Sequence, residues 1–221
     1  MSKVIVLTAC LIASIPQWPM AASTRPVNSA RARRASNPAG LQAGQAYMND
    51  FFRPVTLTLP RGWRPMAGWQ GWALLRNGRR MPLISSAYTA ADVQRAHIFS
   101  AEGTLTSGRQ WSPATAGLEV WSAHDWNGTL DQLVTFVQRQ VVGGRRSGAA
   151  LAGTPNAGTI SLAGRRVSYI DHVAQRGYTR VWFRIYFITV PAYVYQFTVS
   201  MESPALLSSA DALVRQMVAL R

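Results

Sequence analysis

Hydrophobic and polar positions alternate most clearly in the last third of the chain. Val167, Tyr169, Asp171 and Val173 interleave with Ser168, Ile170, His172 and Ala174 before the turn residues Gln175-Arg176-Gly177, the period-two pattern of a half-buried strand. Thr179 to Val190 places Val181, Phe183, Ile185 and Phe187 on one side and Trp182, Arg184, Tyr186 and Ile188 on the other. Both sides are largely apolar, which predicts a central strand. After Pro191-Ala192, Tyr193, Tyr195, Phe197, Val199 and Met201 resume the alternation, so the three segments predict an antiparallel meander. Ser203-Pro204 then offers a cap and a first-turn proline, and Leu206, Ala210, Leu213, Val214, Met217 and Leu220 recur at spacings of three and four. That spacing predicts a helix with one apolar stripe lying on the sheet.

Earlier segments supply the rest of the sheet. Val55 to Leu59 alternates and stops at Pro60-Arg61-Gly62-Trp63; Trp72 to Leu75 is a short apolar run before the Asn77-Gly78 turn signal, and Leu118 to Ser122 is a third run. Ala87 to Phe99 has no decisive period. Thr129 opens a helix: Gln132 follows it as in a capping box, Leu130, Leu133, Val134, Val137 and Val141 share a face, and Gly143-Gly144 ends it. Arg145 to Gly158 reads as a flexible surface loop.

The N-terminus predicts a compartment. Lys3, the apolar run Val4 to Ile15 and the small residues Ala21-Ala22-Ser23 make residues 1–22 an export signal, too short in its apolar part to span a bilayer. Residues 23–46 carry Arg25, Arg31, Arg33 and Arg34 without an acid and predict a disordered basic tail. Residues 47–221 then form a single domain. The expected location is the periplasm. Cys10, the only cysteine, follows Leu7-Thr8-Ala9 as in a bacterial lipobox, so a membrane-anchored lipoprotein acylated on Cys10 is the alternative. The apolar stretch ahead of it is short for that processing. The mature domain has no thiol chemistry.

Charge narrows the partners. The 221 residues carry 23 Lys and Arg against 9 Asp and Glu, a net charge of +14. Such a surface attracts acidic proteins, anionic headgroups or polyanions, less so as salt rises. Nucleic acid is disfavoured by export and by the lack of zinc-knuckle, helix-turn-helix or aromatic RNP patterns. No metal or cofactor is expected: His97, His124 and His172 have no ligand spacing. Asp171-His172 with Ser168 imitates a triad, but consecutive strand residues face opposite ways. Gly153 to Thr159 has phosphate-loop glycine spacing without the lysine, and reads as a turn-rich loop.

The element order, together with Leu59-Pro60-Arg61-Gly62-Trp63, the Thr129 to Val142 helix, Leu162-Ala163-Gly164-Arg165-Arg166 and the closing helix after Ser203-Pro204, resembles the PsbP-like and DcrB-like families over Val55 to Leu220. The resemblance implies an α+β fold, an antiparallel sheet flanked by helices as an α/β/α sandwich. It also implies a non-enzymatic role, since members bind other proteins as assembly factors, extrinsic photosystem II subunits or adaptors for secreted toxins, and it carries over no catalytic residue. Trp and Arg commonly anchor interfaces. Arg61, Trp63, Arg64, Trp69, Arg79 and Arg80, with Arg145 and Arg146, are therefore the candidate partner-binding residues. Trp63 and Trp69, set among Gly and Pro, are expected to be exposed, whereas Trp72 and Trp121 are expected in the core. The expected function is an exported accessory, adaptor or immunity-type protein of a secretion or envelope system that grips an acidic protein. The basic tail or a lipidated Cys10 would offer a membrane contact. The alternative is a periplasmic binder of small anionic ligands or envelope polyanions, which requires a pocket between sheet and helix.

Overall fold

The computed structural model describes residues 42–49, 55–67, 72–76, 79–82, 95–122, 131–132, 134–135, 150–151, 155–176, 178–190 and 193–220. The segment expected to be an export signal and most of the expected basic tail, with Cys10, His124, Trp69, Arg145 and Arg146, lie outside them.

Among the described residues two antiparallel sheets account for the strands. The smaller contains β1 (Ala46–Asn49), β2 (Val55–Thr58), β4 (Trp72–Arg76), β5 (Arg79–Pro82) and β13 (Val218–Leu220), in the order β13-β2-β1-β4-β5. The larger contains β3 (Arg64–Ala67), β6 (Arg95–Ser107), β7 (Gln110–Ser122), β8 (Ala150–Leu151), β9 (Asn156–Leu162), β10 (Arg165–Arg176), β11 (Thr179–Val190) and β12 (Tyr193–Met201). Its order is β3-β6-β7-β12-β11-β10-β8, with β9 paired to the first part of β10 and β8 to its last. A 3₁₀ turn, Pro204–Leu206, leads into helix α1, Leu207–Met217.

The meander forms as its alternation predicts. β10, β11 and β12 pair in register, Tyr186 facing Tyr169 on one side and Phe197 on the other. The β9–β10 hairpin turns on Ala163 and Gly164, both at positive φ, 49° and 76°. This is the primed-turn conformation whose twist matches the flanking strands. β11 is central, and Tyr186 and Ile188 on one face and Ile185 and Phe187 on the other are all buried.

One face of the larger sheet carries α1. Leu206, Ala210, Leu213, Val214 and Met217 join a single buried cluster with Leu57, Phe99, Leu118, Tyr186 and Phe197. The opposite face buries Ile170, Phe187 and Val194 as well. The architecture is thus a sheet-rich α+β fold with α1 seated on one face. Of the second helix expected at Thr129 to Val142, Asp131, Gln132, Val134 and Thr135 are helical and the remainder lies outside the described residues.

Several local expectations change. Leu220 was expected on the helix stripe but belongs to β13, where it pairs with Val55; β-branched Val218, opposite Leu57, turns the chain from helix to strand. Gly158 and Thr159, expected in a loop, pair with Tyr169 and Ser168 in β9. The segment of undecided type becomes β6 from Arg95 onward. Residues 42–46, assigned to the tail by composition, hold on to the domain: the Gly44 amide donates to the Leu59 carbonyl at 2.5 Å and the Gln42 amide to the Tyr47 hydroxyl at 2.6 Å. Ser203 makes no side-chain cap.

Trp63 is the clearest reversal. Only 6% of it is exposed, and its indole lies across Gly103 on β6, where an added Cβ would clash with the ring. The ring needs the space that glycine leaves. Gly103→Ala should therefore overpack this contact and destabilise the fold by about 1–3 kcal/mol. Urea unfolding with an unchanged slope should show the loss; an unchanged midpoint would refute the contact.

Candidate functional site

The densest polar arrangement lies between α1 and the larger sheet. Arg184 is mid-strand in β11, on the face that also carries Tyr186 and Ile188, and is buried. Its Nε and Nη2 donate to the two Asp171 carboxylate oxygens at 2.6 and 2.7 Å. Its Nη1 donates to Asp211 Oδ1 at 2.9 Å and to the Leu207 carbonyl at 3.1 Å. The Tyr186 hydroxyl donates to the same Asp211 oxygen at 2.7 Å. The guanidinium sits 4.2 Å from the Tyr169 ring centroid, and that ring in turn packs over Gly158 of β9. One cation therefore ties β9, β10, β11 and α1 together.

The electrostatics follow from this geometry. Burial disfavours the guanidinium charge, but the hydrogen bonds and charge of Asp171, then of Asp211, outweigh it and hold its pKa above the ordinary arginine value. Burial, reinforced by Asp211, pushes the Tyr186 phenol upward, so it stays protonated as a donor. The acids are consumed by the arginine and the tyrosine. The arrangement is a structural clamp with neither a free base nor a free nucleophile.

The opposite face holds a smaller polar row. The Trp121 indole donates to Gln196 Oε1 at 3.2 Å, and Gln196 Nε2 donates to Glu119 at 3.3 Å. On the same face, His172 stacks on Phe183 with ring centroids 4.7 Å apart and planes 5° apart. Its Nδ1 is buried without a hydrogen-bond partner, and burial lowers its pKa from 6.5 to about 4. Asp171 bonds Arg184 on the α1 side while His172 stacks on the other, so the two make no triad. Among the described residues no group of three or more His, Cys, Asp or Glu is placed to hold a metal ion.

The sequence-predicted binding residues divide. Arg61 and Arg64 are exposed, and Arg64 forms an ion pair with Glu102 across β3 and β6, of the exposed kind that contributes little. Trp63 is buried and unavailable as a surface anchor. Arg79 and Arg80 lie in the edge strand β5. Sequence reasoning did not single out the clamp, although a charged residue between Trp182 and Tyr186 on a strand face was its signal: a charge there requires a buried counter-charge. It also passed over two exposed aromatics, Trp111 and Tyr178.

No protein-family model and no curated protein matches the chain. Several solved structures do. A Pseudomonas aeruginosa protein of unknown function, a candidate regulator, is 19% identical, covering 65% of this chain and 90% of that one, with a TM-score of 0.37. LpqN of Mycobacterium tuberculosis, involved in cell envelope biogenesis, is 12% identical over 79% of this chain and 90% of its own, also at 0.37. Cyanobacterial PsbP from Synechocystis sp. PCC 6803 is 9% identical over 82% and 96%, again at 0.37. PsbP thus stands among the solved structures to which this chain is similar. Likeness at this level extends to neither activity nor partner. Among the described residues no helix is long and apolar enough to cross a membrane.

Removing the clamp cation leaves Asp171 and Asp211 without it in a half-buried setting. Arg184→Leu should cost about 3–5 kcal/mol, and Arg184→Lys should recover only part, because an ammonium cannot reproduce the bidentate fork. Denaturant unfolding checks both, and full stability of the Leu variant would refute the clamp. His172 gives a pH dependence. Its folded pKa, about 4, lies below the unfolded value, so the unfolded chain binds the proton first. The stability carried by the neutral ring is complete above about pH 6.5 and is lost as pH falls towards 4, by at most about 3 kcal/mol. In His172→Phe this component of the pH profile should vanish; a difference profile that is flat from pH 7 to 4 would refute it.

Proposed function

We propose that the chain is an exported, envelope-associated, non-enzymatic binding module. In this reading it is an accessory, adaptor or immunity-type protein that holds an acidic protein partner on its arginine-bearing surface. The observation that supports this is a division of charge. The interior cation, Arg184, is closed off by Asp171, Asp211 and a backbone carbonyl. Meanwhile Arg61, Arg109, Arg165 and Arg166 are exposed and, among the described residues, make no ion pair. Exposed guanidinium groups are weakly hydrated forks that meet carboxylates bidentately, and the net charge of +14 draws an acidic partner towards them. Between sheet and helix, where a small ligand would need room, Tyr186, Leu206, Ala210 and Val214 fill the space.

Affinity capture by the tagged protein from its own envelope extract, at moderate salt, tests this reading. One acidic protein should be retained in stoichiometric amount and released as salt rises. Arg165→Gln with Arg166→Gln, at the exposed β9–β10 turn, should weaken its Kd roughly tenfold, about 1.4 kcal/mol. Retention of no protein, or retention indifferent to salt and to these substitutions, would sink the assignment.

A further inference from the structure

The turns at one end of the larger sheet share a height. Ala114, Met201 and Trp182 form one cross-strand row through β7, β12 and β11. Trp111 lies three positions beyond that row on β7, and Tyr178 four positions beyond it ahead of β11. At about 3.3 Å per residue the two stand almost level, two strand spacings or roughly 10 Å apart. Both are exposed, Trp111 at 69% and Tyr178 at 106%. Arg109 occupies the turn beside Trp111, Arg180 follows Tyr178, and both are exposed. β3 runs antiparallel to β6, so the turn before it brings exposed Arg61 to the same end. The acids at this end are Glu202, directly after Met201 and exposed, and Glu102, one position inside the row and paired with Arg64.

We infer that this end of the sheet is a docking surface for an anionic lipid bilayer. Two aromatic side chains, one at the start of β7 and one on the turn ahead of β11, standing level at one end of the sheet, match a plane better than they match the concave site in which a protein hot spot is buried. Trp and Tyr are the residues that settle at the headgroup level, apolar ring inward and polar edge in water. Arginines beside them supply attraction to anionic headgroups, which weakens with salt. This inference goes beyond the protein-partner reading and does not depend on it: the Arg165-Arg166 turn, proposed for the partner, is at the other end of β10.

The test uses the full chain with Cys10→Ser, which removes the only cysteine. A single cysteine is then introduced at exposed Ser107, beside the β6–β7 turn, or at exposed Thr189, at the opposite end of β11, and labelled with a polarity-sensitive fluorophore. With phosphatidylglycerol-containing vesicles, the Ser107→Cys probe should shift to the blue and the Thr189→Cys probe should not. Neutral phosphatidylcholine vesicles should move neither. Trp111→Ala with Tyr178→Ala should weaken the response about tenfold or more. An equal response from both probes would mean that the N-terminal segment alone holds the chain on the vesicle, and would overturn the inference. So would a silent Ser107 probe, including one that is shielded by a captured protein but indifferent to lipid.

Discussion

The bidentate bond between Arg184 and Asp171, extended through Asp211 to α1, is the constraint on which the rest of the structure depends. Apolar contacts alone would let α1 slide or rotate on the sheet, because a stripe of Ala, Leu and Val packs acceptably in neighbouring registers. Arg184 removes that freedom. It reaches the Leu207 carbonyl and the Asp211 carboxylate, one helical turn apart, so both the rotation and the axial position of α1 are set against β11. The bond is costly to break and adds little when compared with an apolar replacement, which suits a contact that defines an arrangement more than it stabilises one.

The consequence travels along the chain. α1 runs directly into β13, and β13 pairs with β2, Val218 opposite Leu57. The position of the helix on the larger sheet therefore fixes where the smaller sheet is completed. The clamp thus joins two sheets that share one buried cluster, although the charged groups touch only the larger one. Trp63 closes another side of the same cluster by lying over Gly103 of β6, within the larger sheet.

How much of this was legible from sequence depended on where each residue finds its partner. β11 and β12 were readable to the residue, because their alternation and the Pro191-Ala192 break are local signals. The apolar stripe of α1 was readable for the same reason, but its end was not: Leu220 keeps helical spacing while pairing as a strand. β9 escaped because Asn156-Ala157-Gly158-Thr159 carries almost no apolar residue; its order comes from the β10 edge. β6 escaped because its pairing with β7 shifts between His97 and Phe99, which breaks the alternation. β1 went unrecognised, with its first residue Ala46 assigned to the tail, because its partners lie in β2 and β4. Trp63 was misread since its glycine and proline neighbours suggested a loop, whereas the glycine that accommodates it lies across the sheet. The clamp follows the same rule: Arg184, Asp171 and Asp211 are each unremarkable in sequence and become a site only through β10–β11 register and the seating of α1.

In the proposed reading, specificity lies on the surface. Among the described residues the interior cation is neutralised by its own carboxylates, and the sheet–helix space is filled by Tyr186 and the α1 stripe. The surface is different, because exposed Arg61, Arg109, Arg165 and Arg166 make no ion pair among the described residues and keep their capacity for carboxylates or headgroups. The sheet separates these groups into two ends, Arg165 and Arg166 at one, Arg109 and Arg180 with two exposed aromatics at the other. Rigid strands, held in register by the clamp, keep the ends apart over the length of β10 and β11. With both proposed surfaces in use, a rigid spacer with a different basic surface at each end would hold an acidic protein and an anionic bilayer together.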